Sequence, residues 1–301
     1  FEYMYCPPSD VYEENKLQMV ETLQSVLSLF DSIDGLTDYL SYRLINLAES
    51  VSDNIDVKNK FKENPLDDPL IYDYKNYPSE LFKKAGEIAP NRAGFGDFGS
   101  WLNSYCQKKY GRPLTLACSA DLAGSTNIDG FSKSLNDNED FGMYHPSNNS
   151  AGTLLPQGIT EFANAGIMTG VATVNFATDP YFDFNGFITA CSTYGSFSYL
   201  KYGAFRLFSQ IAQDSQLKVG KVIWVAGHSG PETAEDFRTH FGIFAPGVTQ
   251  LFPEGHIINL HPWEYNEVPV MLGAALNTDM PIIALHLTRP PIGIPDRISL
   301  G

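Results

Sequence analysis

The chain has few cysteines, few basic residues and no long apolar run, and each shortage excludes a class of protein. Its four cysteines, Cys6, Cys106, Cys118 and Cys191, are widely spaced and form no CxxC pair, so they indicate neither a disulfide framework nor a zinc site. Lysine and arginine number 20 against 35 acidic residues, and the formal charge of −15 argues against binding to nucleic acid or to an anionic membrane. No run approaches the roughly 18 to 20 apolar residues of a membrane span. We therefore expect a protein of the reducing cytoplasm.

The length and the hydrophobic content are those of a folded protein. The chain has 301 residues, of which 43% are hydrophobic, enough for one large or two modest domains with a substantial core. It begins at Phe1 without a basic and apolar leader and stops after Gly301, so we expect a piece of a longer protein.

The apolar pattern divides the chain into an N-terminal segment, 1–90, and a larger domain, 91–301. In the first, helix-spaced apolar positions between residues 10 and 50 predict two helices with a break at 31–35. An acidic, proline-containing stretch follows at 52–78. We interpret the whole segment as a helical linker.

In the larger domain, apolar runs alternate with helical patterns. The runs cover 113–118, 166–176, 221–226 and 281–287, and the helical patterns cover 98–109, 161–173, 197–214 and 263–276. Such alternation predicts an α/β fold with a mostly parallel sheet flanked by helices.

The most informative stretch is GHSGPETAEDFRTH, residues 227–240, which follows one of the apolar runs. It gathers polar side chains where a strand should end: His228, Ser229, Glu235, Asp236 and His240. Open α/β sheets present their chemistry at the carboxyl ends of strands, and imidazoles with carboxylates can transfer protons near neutral pH. The alternative interpretation is a solvated loop with ordinary histidines.

Two other motifs are incomplete. Residues 94–99 match the dinucleotide fingerprint G-x-G-x-x-G, but a polar, helix-like piece precedes them where that motif requires a buried strand. Ser229 follows a predicted strand as in a nucleophile elbow, yet Pro231 occupies the place of the second glycine of G-x-S-x-G. The sequence therefore gives little support to a nucleotide site or to a serine hydrolase.

Glu161 stands before a run of small and apolar residues, where burial would oblige its carboxyl group to find a hydrogen-bonding partner. So placed, it could hold or pass a proton. The alternative is a glutamate at a helix N-terminus, favoured by the helix dipole. An aromatic stripe follows, which either sandwiches a flat heterocycle or forms core: Tyr194, Phe197, Tyr199, Tyr202 and Phe205.

Three segments carry a resemblance to a known family. The segment CSADLAGST at 118–126 is similar to G-S-A-D-L-x-x-S, and ITEFANAGIMTG at 159–170 is similar to a region E-x-x-M-x-x-I-x-x-G. The spacing of His228, Asp236 and His240 is that of the loop H-D-S-x-x-x-G-E-D-G-P-T-H. In these segments the chain resembles the central, pyrimidine-binding domain of transketolase, over roughly residues 98 to 292.

The resemblance implies thiamine diphosphate as the cofactor, bound with Mg²⁺ across a dimer interface. Glu161 would hydrogen-bond the aminopyrimidine ring and so activate the cofactor. Tyr194 and Phe197 would pack on that ring, and Asp121 would lie near the cofactor. The implied reaction moves a two-carbon ketol unit between ketose and aldose phosphates, as in pentose phosphate metabolism.

The same resemblance assigns the substrate contacts. His228 and His240 would handle protons of substrate hydroxyls, and Asp236 would bind a sugar hydroxyl. Ser125 and Arg289 would hold the substrate phosphate, the arginine as a bidentate clamp.

The chain departs from the family's pattern at several positions. The third pyrimidine-contacting aromatic falls on Leu200, and the aspartate after the first histidine of the loop is Ser229. The second phosphate-binding arginine falls near Phe98, where Arg92 is the only close basic residue. The missing second arginine bears on phosphate selectivity.

The chain contains no G-D-G followed by asparagine, so the resemblance places the Mg²⁺ ligands and the diphosphate anchors outside it. We expect catalysis only with a diphosphate-binding domain, from the rest of its own polypeptide or a partner subunit, in a homodimer or larger assembly. Two alternatives stay open. One is the E1 component of a 2-oxoacid dehydrogenase, and the other is a non-catalytic assembly or regulatory subunit that keeps the fold.

Overall fold

The computed structural model describes residues 10–50, 60–135, 139–215, 219–229 and 245–299. Contacts within the chain divide it into two units, Phe1–Val57 and Lys58–Gly301. The described part of the first unit consists of helices α1 (Tyr12–Ser32) and α2 (Leu36–Ser50), neither of which has a buried residue. The predicted break between them is confirmed, and Gly35 adopts a φ of +73° there.

The second unit contains the remaining helices and strands. In chain order they are β1 (Ile88–Ala89), α3 (Asn91–Tyr110), β2 (Thr115–Ser119), α4 (Ala123–Thr126), α5 (Glu161–Thr173), β3 (Ile188–Tyr194), α6 (Tyr202–Asp214), β4 (Val222–Gly227), α7 (Ala245–Thr249), β5 (Ile257–Leu260), α8 (Glu267–Leu276), β6 (Ile282–His286) and β7 (Ile292–Gly293). Short 3-10 helices cover Pro65–Asp67, Pro69–Ile71, Tyr74–Asn76, Ser79–Leu81, Ile128–Ser132 and Gly195–Lys201.

The main sheet has five strands in the order β2-β3-β4-β6-β5, and every neighbouring pair in it is parallel. Strands β1 and β7 form a separate antiparallel pair. The predicted α/β class, a mostly parallel sheet flanked by helices, is confirmed. Because all five strands run in one direction, their carboxyl ends meet at one edge of the sheet, where the polar loops predicted from the sequence emerge.

Alternate residues of the buried strands pack on opposite faces of the sheet. In β4, Val222 and Trp224 join a core cluster with α5 and α6, whereas Ile223 and Val225 join the larger cluster with α3 and α8. Phe205 of α6 stacks on Trp224 with ring centroids 4.6 Å apart. Phe205, a member of the aromatic stripe, is therefore a core residue, because it packs between α6 and the sheet, where water is excluded.

One predicted strand needs correction, and two strands of the main sheet were not predicted. The apolar run 166–176 is not a strand, because its first part lies in α5, where Ala165, Met168 and Ala172 are buried at helical spacing. The strand next to β2 is instead β3, Ile188–Tyr194. Its sequence ITACSTY mixes threonine, serine and cysteine with few large apolar residues, so hydrophobic periodicity gave no signal for it. Strand β5 was missed because it is only 4 residues long.

The glycines of the segment 94–99 lie inside α3 and serve close packing. A Cβ added at Gly94 would lie 2.6 Å from the carbonyl oxygen of Tyr265, and one at Gly96 would lie 2.7 Å from that of Asn127. A Cβ at Gly99 would overlap the ring of Phe131. The motif therefore lets other backbone and an aromatic ring approach the helix, and it does not open a helix after a buried strand as a dinucleotide site requires.

Among the described helices, none combines the length and the apolar character needed to cross a bilayer.

Candidate active site

Glu161 is the first residue of α5, and its side chain is turned inward with only 8% of the residue exposed. The hydroxyl of Thr193, near the end of β3, donates a hydrogen bond to its Oε1 at 3.1 Å. Within the described residues, Oε2 has no hydrogen bond. The carboxyl group is thus held through one oxygen, and the other oxygen is available for a further hydrogen bond.

Tyr194 and His228 form the aromatic part of the site. Tyr194 ends β3 in register with Gly227 of β4, so the next residue of β4's chain, His228, comes beside it. Their rings stack with centroids 4.3 Å apart and planes 22° from parallel. His228 is buried and adopts a φ of +52°. Left-handed backbone at a residue other than glycine costs about 1 to 2 kcal/mol and is found mainly where a site requires it.

Ser125 joins this pair. Its hydroxyl accepts a hydrogen bond from the phenol of Tyr194 at 3.1 Å and lies 3.4 Å from Nε2 of His228. Ser125 is in α4, which follows two consecutive residues of left-handed backbone, Asp121 and Leu122, at the end of β2. The turn therefore brings Ser125 against the carboxyl ends of β3 and β4.

Arg92 reaches the same cluster from the first turn of α3. Its Nη1 donates to the carbonyl oxygen of Ser125 at 2.6 Å and lies 3.2 Å from Nε2 of His228. A guanidinium group can only donate, so this contact requires Nε2 to accept and places the proton of the neutral imidazole on Nδ1. Arg92 thereby sets the tautomer of His228.

A chain of hydroxyl groups supports the loop after β2. The hydroxyl of Ser192 donates to that of Ser119 at 2.9 Å and lies 2.8 Å from that of Thr126. The hydroxyl of Ser119 in turn donates to the carbonyl oxygen of Asp121. These bonds hold the left-handed backbone turn at Asp121 and Leu122. Because the hydroxyl groups find their partners inside the protein, the turn does not need a ligand to support it.

The remaining predicted site residues are more dispersed. Asp121 is exposed in the loop after β2, Phe197 is half-buried in the 3-10 helix Gly195–Lys201, and Arg289 is exposed just beyond the end of β6. All three follow carboxyl ends of strands. Asp236 and His240 lie outside the described residues.

A pair of stacked imidazoles, which the sequence analysis did not single out, lies at the same edge of the sheet. The rings of His261 and His286 stack with centroids 4.1 Å apart and planes 5° from parallel. Nδ1 of His286 is 3.3 Å from the hydroxyl of Ser229, and Nε2 is 3.3 Å from the amide oxygen of Asn259. Burial, with a smaller effect of the charge on His261, lowers the pKa of His286 to about 3, and burial lowers the pKa of His261.

Within the described part of the chain, no three side chains of histidine, cysteine, aspartate or glutamate converge as metal ligands would. The expectation that any metal ligands lie elsewhere in the enzyme stays a prediction.

Comparison with known proteins shows the family of the chain. The family model described as the pyrimidine-binding domain of transketolase matches residues 98–291. The chain belongs to that family. No curated protein sequence matches it.

Solved transketolases share the fold. A transketolase mutant from Pichia stipitis, in complex with xylulose 5-phosphate, is 21% identical with a TM-score of 0.51, and the match covers 71% of this chain and 27% of that one. A transketolase from Leishmania mexicana is 18% identical with a TM-score of 0.51 and the same coverage. The chain thus spans about a quarter of the length of these transketolases.

Sequence reasoning missed Thr193 and did not foresee that Arg92 touches the site. Thr193 precedes Tyr194 directly, so recognition of β3 would have placed it beside Glu161. Arg92 is remote from Ser125 and His228 in sequence, and only the packing of α3 against the loop after β2 brings them together.

Proposed function

We propose that this chain is the pyrimidine-binding part of a transketolase-like enzyme that transfers a two-carbon ketol unit between ketose and aldose phosphates. The observation that carries the proposal is the buried carboxyl group of Glu161, which within the described residues is held by Thr193 through one oxygen. A carboxyl group so placed can share a proton with a nitrogen of a bound heterocycle. The proposed cofactor is thiamine diphosphate.

The residues present suit the pyrimidine ring of that cofactor. Glu161 has an oxygen that makes no hydrogen bond with the described residues, and Tyr194 and Phe197 are half-buried aromatics at the end of β3 and just after it. Aromatic rings and a hydrogen-bonding carboxyl group are the kinds of group that bind flat, nitrogen-containing rings. We propose that these three residues, with Asp121 nearby, form the pyrimidine site.

When bound, thiamine diphosphate supplies a nucleophilic carbon that accepts and releases the two-carbon unit. Glu161 holds a proton at the pyrimidine ring, and Thr193 keeps its carboxyl group in the orientation needed for that exchange. The stacked pair of Tyr194 and His228 excludes water from one side of the site.

Substrate contacts are proposed for the cluster around His228. With Nε2 accepting from Arg92, the imidazole can donate from Nδ1 to a substrate hydroxyl and exchange that proton. Ser125 and Arg289 are proposed to bind the substrate phosphate, and Arg92 adds a positive charge directly beside Ser125. Asp236 and His240, which lie outside the described residues, complete the proposed set.

The proposed enzyme needs a second part. Mg²⁺ and the diphosphate would be held by a diphosphate-binding domain of the same polypeptide or of a partner subunit, in a homodimer or a larger assembly. We propose the division of this chain into a helical linker at 1–90 and the pyrimidine-binding domain at 91–301, and a role in pentose phosphate metabolism of the cytoplasm.

A two-substrate assay tests the function. The complete protein, supplied with thiamine diphosphate and Mg²⁺, should transfer two carbons from a ketose phosphate to an aldose phosphate and should not decarboxylate a 2-oxoacid. Decarboxylation without ketol transfer would instead identify the E1 component of a 2-oxoacid dehydrogenase. Neither activity, together with partner binding that does not depend on thiamine diphosphate, would identify an assembly subunit and overturn the proposal.

A further inference from the structure

A fully buried lysine lies against two cysteines on the face of the sheet that packs against α5 and α6. Lys201, the last residue of the 3-10 helix Gly195–Lys201, has no exposed surface. Its Nζ donates to Sγ of Cys191 at 3.1 Å, and among the described residues this is its only hydrogen bond. An ammonium group in an apolar interior is costly unless an anion accompanies it. The candidate anion is the Cys191 thiolate.

The second cysteine lies on the neighbouring strand, directly beside Cys191. Cys118 of β2 and Cys191 of β3 are register partners in the parallel pair, so their side chains project from the same face. The thiol of Cys118 donates to Sγ of Cys191 at 3.7 Å, and neither residue has exposed surface. The sulfur of Cys191 therefore receives two hydrogen bonds, one of them from a cation.

The ionisation of the two thiols follows from these contacts. Burial opposes a thiolate at Cys191, but the hydrogen bond from Cys118 and the charge and hydrogen bond of Lys201 outweigh it and hold the pKa of Cys191 below its ordinary range. The hydrogen bond to Cys191, with burial, raises the pKa of Cys118. The negative charge of Glu161, in α5, opposes the thiolate at Cys191.

Cys106 provides the contrast within the same molecule. It is equally buried, in the core on the other face of the sheet, and burial raises the pKa of its thiol. Among the described residues, no hydrogen bond reaches its sulfur. Burial alone thus gives an inert thiol, and the Lys201 contact is what distinguishes Cys191.

We propose that Cys191, Cys118 and Lys201 form a buried redox site at which hydrogen peroxide converts the two thiols into a disulfide. The Cys191 thiolate attacks one oxygen of the peroxide, an S–O bond forms and the O–O bond breaks. The departing hydroxide takes a proton from Lys201 and leaves as water. The sulfur of Cys118 then attacks the sulfenic sulfur of Cys191, an S–S bond forms, and the second hydroxide leaves as water with the proton of Cys118. Two thiols and one peroxide give one disulfide and two waters.

The geometry allows this bond. Neighbouring parallel strands lie about 4.8 Å apart, within the roughly 4.4 to 6.8 Å between Cα atoms that a disulfide spans. The sulfurs are 3.7 Å apart, so rotation of the side chains has to close the gap to the bond length of about 2.05 Å. Strand β2 is the terminal strand of the sheet, and the backbone at 153–155 hydrogen-bonds to its outer edge at Ala117, so the proposal requires peroxide to enter by local opening of that edge.

Oxidation would act on the candidate active site through β3. Cys191 lies two residues before Thr193, which holds the Glu161 carboxyl group, and Cys118 directly precedes Ser119 of the hydroxyl chain. A disulfide removes the anion beside Lys201 and turns the side chains of Cys118 and Cys191 on the sheet face that also carries Thr193. We expect weaker binding of thiamine diphosphate in the oxidised protein, a consequence that rests on the proposed function, whereas the disulfide itself does not.

Mass spectrometry of the full chain tests the chemistry independently of activity. Peroxide treatment should lower the intact mass by about 2 Da, as loss of two hydrogens requires, and peptide mapping should find a Cys118–Cys191 link. Lys201→Met should slow the reaction at least tenfold, Cys191→Ser should abolish it, and Cys106→Ser should leave it unchanged. No link, equal rates with Lys201→Met, or a gain of oxygen mass confined to Cys106 or to methionines would overturn the proposal.

A second measurement does not depend on how the variants fold. Thiolate absorbance of the wild-type chain in the ultraviolet should rise at a lower pH than for an ordinary cysteine, and the Cys106→Ser chain should show the same rise. Absorbance that appears only in the ordinary cysteine range would contradict a thiolate at Cys191. If the link forms but cofactor affinity is unchanged by it, the redox site stands and only its coupling to the proposed function fails.

Discussion

The hydroxyl of Thr193 donates a hydrogen bond to Oε1 of Glu161 at 3.1 Å, and it joins the end of β3 to the first residue of α5. Both side chains are buried, so the bond is shielded from water. A hydrogen bond to a charged group in such a place contributes about 1.5 to 3 kcal/mol, and it fixes the direction in which the second carboxylate oxygen points. Thr193 is therefore a positioning residue for the proposed acid.

Replacement of Thr193 tests this role in the complete enzyme. Thr193→Val should lower kcat/KM for ketol transfer by about 10- to 100-fold, because it removes a bond to the carboxyl group while it preserves the shape of the side chain. Thr193→Ser should restore most of the activity. Thr173→Val, at the other end of α5, is the matched control and should have little effect. Full activity of Thr193→Val would mean that packing alone orients Glu161.

Arg92 is expected to contribute to recognition of the substrate phosphate. Arg92→Ala should raise KM for a ketose phosphate by about tenfold, since a charge-assisted contact beside Ser125 is lost. KM for the corresponding unphosphorylated ketose should change little. Arg43→Ala removes an exposed arginine from α2 and controls for the change in net charge. An equal rise of both KM values would assign Arg92 to the orientation of His228 and not to the phosphate.

The glycines of α3 are expected to matter for stability. Gly99→Ala should lower the free energy of unfolding by about 1 to 3 kcal/mol, because its Cβ would overlap the Phe131 ring. Gly170→Ala in α5, where a Cβ meets nothing within 4 Å, should raise it by about 0.5 to 1 kcal/mol. Urea denaturation of the chain measures both. No change in stability for Gly99→Ala would show that α3 and the 3-10 helix Ile128–Ser132 can move apart without cost.

The stacked pair of His261 and His286 predicts a loss of stability in acid. The folded state lowers the pKa of His286 to about 3, so it disfavours the protonated form. The shift costs nothing above the unfolded pKa of about 6.5, and it removes about 5 kcal/mol of the free energy of unfolding in total as the pH falls from there toward 3. His286→Gln should flatten the dependence of unfolding free energy on pH in that window, whereas His145→Gln, at an exposed histidine, should not. If the unfolding free energies of wild type and His286→Gln ran parallel from pH 6.5 to 3, the lowered pKa of His286 would be refuted.

Local sequence signals predicted the parallel α/β sheet, because apolar runs and helix spacing are read within short windows, whereas the site residues taken from family motifs stay a prediction. The local signals failed where tertiary packing decides. The run that contains Met168 is apolar enough for a buried strand, and its helical form is settled by the contacts of α5 with α6 and the sheet. Likewise Cys191 and Lys201 are unremarkable in sequence, and only the register of β2 and β3 shows that a second thiol and an ammonium group meet there.

The central claim is that the Glu161 carboxyl group activates the cofactor, and replacing it with an amide of the same shape tests it most directly. In the complete enzyme, Glu161→Gln should lower kcat for ketol transfer by at least about 100-fold, because an amide cannot exchange the proton, with the fold intact by circular dichroism. Glu254→Gln, at an exposed glutamate, should match the wild type. Ketol transfer by Glu161→Gln at the wild-type rate would contradict the account.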